Sequence, residues 1–134
     1  MNSNKKIIAV DFDGTLCEDK YPEIGEANRN LIEYLIPARH YGCKLILWTS
    51  RSGDRLKEAV EWCKQQGLIF DAINENLPES IERFGGDSRK IFADQYIDDR
   101  ADNMGFRLPF KPYKSKCKRV FYYGDIYKKE RKNG

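Results

Sequence analysis

Residues 7–16 read IIAVDFDGTL, and no other stretch constrains the fold so strongly. Ile7, Ile8, Ala9 and Val10 form an unbroken apolar run, as expected of a parallel strand buried on both faces. The run stops at Asp11 and Asp13, one aromatic apart, with Gly14 and Thr15 next. Glycine lets the chain turn sharply out of the sheet, which holds both carboxylates near the strand's C-terminal edge. That edge is where ligands bind in open parallel sheets. Two carboxylates at about 4 Å repel by about 4 kcal/mol at an effective dielectric of about 20. A shared proton, a cationic side chain or a divalent metal relieves this repulsion. The alternative is a surface turn in which Asp11 only caps the strand end, and the rest of the chain has to decide between the two.

Residues 17–25 are polar and include Pro22 and Gly25, which predicts a loop or small flap. Helical spacing follows over residues 26–41, with Leu31, Leu35 and Ala38 on one stripe and Ile32 and Ile36 beside it. Pro37 should kink this helix or end it early, and Gly42 suits the left-handed closing position. Residues 44–50, KLILWTS, read as a second buried strand that stops at Thr49 and Ser50. Strand, helix, strand implies parallel pairing with a right-handed crossover, which brings Thr49 and Ser50 to the edge that holds Asp11. Hydroxyls and free N–H groups beside a helix start hold anions well, although helix capping alone would also account for this pair.

Ser52 or Asp54 can cap the next helix, which runs to about Gln66 with Leu56, Ala59, Val60 and Cys63 inward. After Gly67, residues 68–73 read as a third strand and residues 79–84 as a short helical turn within a loop spanning 74–86. Residues 95–97 make a fourth strand that ends in Asp98, Asp99 and Arg100. With this strand beside the first, Asp98 and Asp99 would face Asp11 and Asp13 across one crevice. So anionic a cluster calls for a hard, oxygen-preferring divalent cation, of which Mg²⁺ is the commonest beside phosphates. Lys90 supplies the remaining positive charge.

A chain of 134 residues suits one domain with one core, and 40% hydrophobic and 13% aromatic residues exclude a disordered chain. Cys17, Cys43, Cys63 and Cys117 lie far apart without a C-x-x-C, so neither a zinc site nor a disulfide framework is indicated. Cys43 and Cys63 read as core packing. His40, the single histidine, falls late in a helix, so proton transfer is left to carboxylates, Lys, Tyr or Cys. Residues 1–6 are polar and too short for a signal peptide, and no apolar run reaches the roughly 20 residues that span a bilayer. The expected compartment is the cytoplasm, with no membrane partner.

Asp11-Phe12-Asp13-Gly14-Thr15 after a hydrophobic strand, Thr49 ending the next, a later Lys90 and then Asp98-Asp99 resemble the four ordered motifs of the haloacid dehalogenase-like phosphohydrolase superfamily. The match runs from residue 7 to about 103, and its specificity lies in order and spacing. Response-regulator receivers also cluster Asp, Thr and Lys. They phosphorylate an Asp at the end of a middle strand, however, where this chain offers only Asp71. The resemblance implies an α/β fold: a three-layer α/β/α sandwich on a doubly wound, mainly parallel sheet. It also implies a phosphomonoesterase that acts through an aspartyl-phosphate. Asp11 would be the nucleophile, and Asp13 the acid that protonates the leaving oxygen and then the base that activates water. Like charge from Asp11 and burial would keep a proton on Asp13. Thr49, Ser50 and the N–H groups from Phe12 onward would hold the phosphoryl oxygens, with Lys90 offsetting their charge. Mg²⁺ would sit on the Asp11 carboxylate, the Asp13 backbone carbonyl and a carboxylate of the second acidic pair, Asp99 for preference with Asp98 in support.

The chain departs from larger relatives in leaving little room for a cap between residues 16 and 44 or between 51 and 90. An open site suits a large or polymeric phosphorylated substrate, or closure by a second subunit. Asp98-Asp99-Arg100 is similar to the motif of polynucleotide 3′-phosphatases but is not confined to them. Within the single domain of residues 1–134, residues 111–134 form a basic, aromatic-rich extension of net charge +7 against −4 for residues 1–110. Its Tyr113, Tyr122, Tyr123 and Tyr127 among lysines could grip nucleic acid, but solvated charge beside packed aromatics is the favoured reading. A nucleic-acid end phosphatase and a non-catalytic phosphate-binding module are the two alternatives. The second would be expected to lack a motif residue, and none is missing.

Overall fold

The computed structural model describes residues 6–101. The basic extension, Cys117, the tyrosines named above and an edge strand expected over residues 121–123 lie outside the described residues. In chain order the elements are β1 (Ile7–Val10), β2 (Cys17–Lys20), β3 (Glu23–Ala27), α1 (Arg29–His40), β4 (Lys44–Leu47), α2 (Gly53–Gln65), β5 (Ala72–Ile73), α3 (Pro78–Phe84) and β6 (Gln95–Ile97). Four strands form one sheet in the order β5-β4-β1-β6, every pair parallel, and β2 and β3 form a separate antiparallel hairpin. The fold is therefore mixed α/β, with β1 at the centre. The chain runs outward from β1 through β4 to β5 and returns to the far side of β1 as β6. That return sets Ile97 opposite Val10 and points the ends of β1, β4 and β6 the same way.

Strand alternation divides the core. Ile8, Val10, Leu45, Leu47 and Ile97 join Leu31, Ile32 and Leu35 of α1 and Ala59 and Cys63 of α2. Ala9, Ile46 and Ala72 join Leu77, Ile91 and Ala93. Both faces of the sheet are covered at β1 and β4, which is why these two strands read as apolar runs. Leu56 and Val60 pack half-buried against the first cluster, as does Cys43. No helix among the described residues is long and apolar enough to cross a membrane.

Three local expectations are revised. First, α1 begins at Arg29 rather than near residue 26, because residues 23–27 pair into the hairpin and Asn28 caps the helix by accepting the Leu31 N–H at 3.3 Å. Second, Pro37 does not end α1, which continues to His40. In the last turn a proline removes only a bond that is near its end anyway, and the Pro37 carbonyl still accepts the Tyr41 N–H at 2.9 Å. Third, the third strand shrinks to Ala72–Ile73. Leu68 is drawn under the end of α2 by its N–H on the Cys63 carbonyl (2.8 Å). The Asp71 carboxylate, not its backbone, takes the Leu45 N–H at 2.9 Å while paired with Arg39. The flap expected over residues 17–25 is the β2–β3 hairpin. Gly25 is fixed there by crowding, since a β-carbon would run into the Glu18 carbonyl.

Candidate functional site

The sheet topology brings together acids that lie more than 80 residues apart. The Asp11 N–H donates to the Ile97 carbonyl at 2.9 Å, so the turn after β1 and the end of β6 leave the sheet side by side. One carboxylate oxygen each from Asp11, Asp98 and Asp99 lie within 4.8 Å of one another. Thr15, itself buried, fastens the two segments: its hydroxyl donates to Asp11 Oδ2 (3.1 Å) and accepts the Asp99 N–H (2.9 Å). Asn28, also buried, donates to the Thr15 carbonyl at 2.9 Å, so the residue that caps α1 also pins this turn.

Gly14 packs directly against the Asp99 carboxylate. Its φ is +85°, and a β-carbon there would stand 2.8 Å from Cγ of Asp99. Gly14→Ala should therefore combine a strained backbone with a displaced Asp99, costing about 1–3 kcal/mol and lowering the melting temperature by about 3–10 °C. Thermal denaturation checks this; an unchanged midpoint would mean that Asp99 has another place to go.

Burial, then the charges of Asp98 and Asp99, push the Asp11 carboxyl up from its ordinary 3.8 to about 8, against a smaller opposing pull from the Thr15 hydroxyl and the Phe12 backbone. Asp99 is 6% exposed, and burial raises it as well. Three carboxylates are thus held together where at least one must stay protonated unless a cation arrives. All the donors are oxygens, which fits a hard divalent cation of the Mg²⁺ class.

The cleft around these acids, about 400 Å³, is lined by Asp11, Asp13, Thr49, Ser50, Asp98 and Asp99, with Arg51 and Arg100 as its cations and Asp19 and Tyr21 reaching in from the hairpin. Thr49 is set by Asn74, whose side-chain oxygen accepts the Thr49 N–H at 2.8 Å and whose backbone adopts a φ of +55° to do so. The Thr49 oxygen accepts the Arg51 N–H (3.1 Å), and among the described residues nothing accepts its proton, which leaves it to donate into the cleft. The Phe12 side chain is fully buried, edge-on to Trp62 at 5.5 Å, so only its backbone can serve a ligand.

Lys90 is not among the residues that line this cleft. Its ammonium stands 5.8 Å from the Tyr96 ring centroid, on a separate hollow with Phe84 and Phe92. His40 is exposed on α1, and Cys17 is buried, its thiol pushed up to about 11 chiefly by burial.

The main residue that the sequence reading missed is Arg51. Its guanidinium grips Asp13 bidentately, Nε to Oδ2 and Nη2 to Oδ1, both 2.8 Å, with a side chain only 1% exposed. It also donates to the Glu23 carbonyl of the hairpin (3.0 Å) and the Arg55 carbonyl of α2 (3.3 Å), and it lies between the Phe12 and Tyr21 rings, 5.0 Å from each centroid. The sequence sets like charge from Asp11 and burial beside Asp13; its immediate partner in the structure is this cation. The available signal was an arginine directly after Thr49-Ser50, at the same sheet edge. Asn28 and Asn74 carried none beyond ordinary capping and turn chemistry.

No family model and no curated protein matches the chain. A solved structure of a conserved protein from Bacteroides thetaiotaomicron is similar to it, with 38% identity, 98% of this chain and 93% of that chain covered, and a TM-score of 0.65. At that identity over nearly the full length of both, the chain belongs to the same family as this conserved Bacteroides thetaiotaomicron protein.

Proposed function

We propose that the protein is a Mg²⁺-dependent phosphohydrolase of the haloacid dehalogenase-like superfamily, a small capless member with a three-layer, doubly wound α/β/α fold. The observation that carries this reading is the convergence of Asp11, Asp98 and Asp99 in the cleft that also holds Thr49 and Ser50. A surface turn merely capped by Asp11 would not gather half-buried Asp98 and buried Asp99, more than 80 residues along the chain, around it.

The Asp11, Asp98 and Asp99 carboxylates, with the Asp13 carbonyl, would hold Mg²⁺, which when bound neutralises their charge and that of a phosphoryl group. An Asp11 oxygen attacks phosphorus, the ester bond breaks, and the leaving oxygen takes a proton from Asp13. Asp13 then accepts a proton from water, whose oxygen attacks the aspartyl-phosphate, releasing phosphate and restoring Asp11. The Thr49 and Ser50 hydroxyls and the Phe12 N–H donate to the phosphoryl oxygens. Arg100 offers at the cleft the charge that the sequence reading sought from Lys90. Because Arg51 holds both Asp13 oxygens, the proton-transfer steps require Asp13 to turn out of that fork.

Between β1 and α1 the described chain inserts only the short β2–β3 hairpin, whose Asp19 and Tyr21 line the cleft, which supports the capless reading. Release of phosphate from an aryl phosphate should require Mg²⁺ and stop on chelation. The same assay on 3′- and 5′-phosphorylated oligonucleotides tests the nucleic-acid end phosphatase alternative. No release from any ester, with or without Mg²⁺, would overturn the enzyme reading in favour of a phosphate-binding module.

A further inference from the structure

The hairpin sends two side chains into the cleft, Asp19 and Tyr21, and Tyr21 is the one aromatic ring among the described lining residues. Its placement is built rather than incidental. The Arg51 guanidinium lies 5.0 Å from the ring centroid, and the same guanidinium is anchored on Asp13, on the hairpin carbonyl of Glu23 and on Arg55 of α2. A cation over one face of a tyrosine fixes the orientation of the ring. Yet Tyr21 stays 58% exposed while the arginine that holds it is buried. Tyr21 is thus both an exposed ring and part of the lining of the cleft that contains Asp11.

Resting on the phosphohydrolase reading, we propose that Tyr21 is the specificity-determining residue of this site. It is a stacking platform that favours phosphate monoesters whose leaving group carries a flat aromatic ring, either joined directly to the ester oxygen or borne on a sugar as a nucleobase. The reasoning is geometric. In-line attack by Asp11 puts the ester oxygen on the side of phosphorus away from Asp11, and of the residues that line the cleft Asp19 and Tyr21 come from the hairpin. The side chains there otherwise offer charge, from Asp19 and Arg100, and only Tyr21 offers a face. An aromatic face accepts any flat ring and gives little to an aliphatic chain of similar size.

The test compares phenyl phosphate, a nucleoside 5′-monophosphate and glycerol 3-phosphate as substrates of the unaltered protein, Tyr21→Phe and Tyr21→Ala, with Mg²⁺ present. In Tyr21→Ala, kcat/KM for an aromatic ester relative to glycerol 3-phosphate should fall about tenfold, through KM. In Tyr21→Phe, which keeps the ring, the ratio should hold. The ester that shows the fall distinguishes a ring on the ester oxygen from a nucleobase. A Tyr21→Ala protein that loses all three esters in equal proportion, or none, overturns the inference, as does a Tyr21→Phe protein that behaves like Tyr21→Ala. These results leave the phosphohydrolase reading standing, whereas failure of the unaltered protein to hydrolyse any of the three overturns the Tyr21 inference, and failure on phosphorylated oligonucleotides as well overturns the phosphohydrolase reading with it.

Discussion

Asp11→Asn is expected to end turnover of an aryl phosphate and, in the same protein, to raise the melting temperature at pH 8 in the absence of metal. The first effect follows from the proposed chemistry. An amide at the nucleophile's position cannot form the aspartyl-phosphate, and losses on removing a nucleophile are about 10³-fold or more. The second follows from the electrostatics. The Asp11 carboxyl is raised from 3.8 to about 8 in the folded protein by burial and by Asp98 and Asp99. A raised acid contributes fully to stability below its unfolded value, and that contribution is lost as pH climbs toward the folded value. At about 1.4 kcal/mol per pH unit, the loss between pH 5 and pH 8 is on the order of a few kcal/mol.

The substituted amide does not titrate, so the variant's melting temperature should vary less with pH and should exceed that of the unaltered protein at pH 8, the gap narrowing at pH 5 and closing as pH falls toward the unfolded value of 3.8. Mg²⁺ should narrow the gap by stabilising the unaltered protein more than the variant, since a ligand that binds only the folded state stabilises it by mass action. Scanning calorimetry at pH 5 and 8, with and without Mg²⁺, checks all of this. Equal pH dependence in the two proteins would mean that Asp11 does not bear the strain. A stabilised but inactive variant is what a site selected for function rather than stability produces.

How much of this was legible beforehand depended on the kind of signal. β1 and β4 were readable because strands buried on both faces must be continuously apolar, and β6, at the end of the described sheet with Tyr96 37% exposed, still fell at residues 95–97 as expected. Parallel winding allowed β6 to lie beside β1 without requiring it, and the sheet order places it there, where Asp11 meets Asp98 and Asp99. The short β5 was not readable, because Asp71 takes the Leu45 N–H with its side chain and nothing in the sequence says which part of an aspartate will do so. Nor was the role of Gly14 as the opening that admits Asp99, which depends on a residue far along the chain. Arg51 was passed over because a charged residue beside a helix start usually faces water. Its burial depends on three things that no local pattern encodes: the Asp13 fork, the hairpin carbonyl and the two rings.

Arg51→Ala should therefore be among the most damaging single substitutions in the described residues. Removing one member of a buried ion pair costs about 3–5 kcal/mol, because the partner is left desolvated without its counter-charge. That corresponds to a fall in melting temperature of about 10 °C or more for a domain of this size. Asp13 keeps an 18% exposed side chain, through which water can reach it, so the lower end of that range is the better expectation. Arg51→Lys should recover only part of the loss, since an ammonium cannot hold both carboxylate oxygens in a planar fork or stack between Phe12 and Tyr21. The decisive measurement is the double-mutant cycle with Asp13→Ala. If the pair acts as a unit, the second substitution should add far less than it costs alone, by about 1–3 kcal/mol. Strict additivity would mean that Arg51 is held by the hairpin and the rings, with Asp13 an incidental neighbour free to serve the proposed proton transfers without leaving the fork.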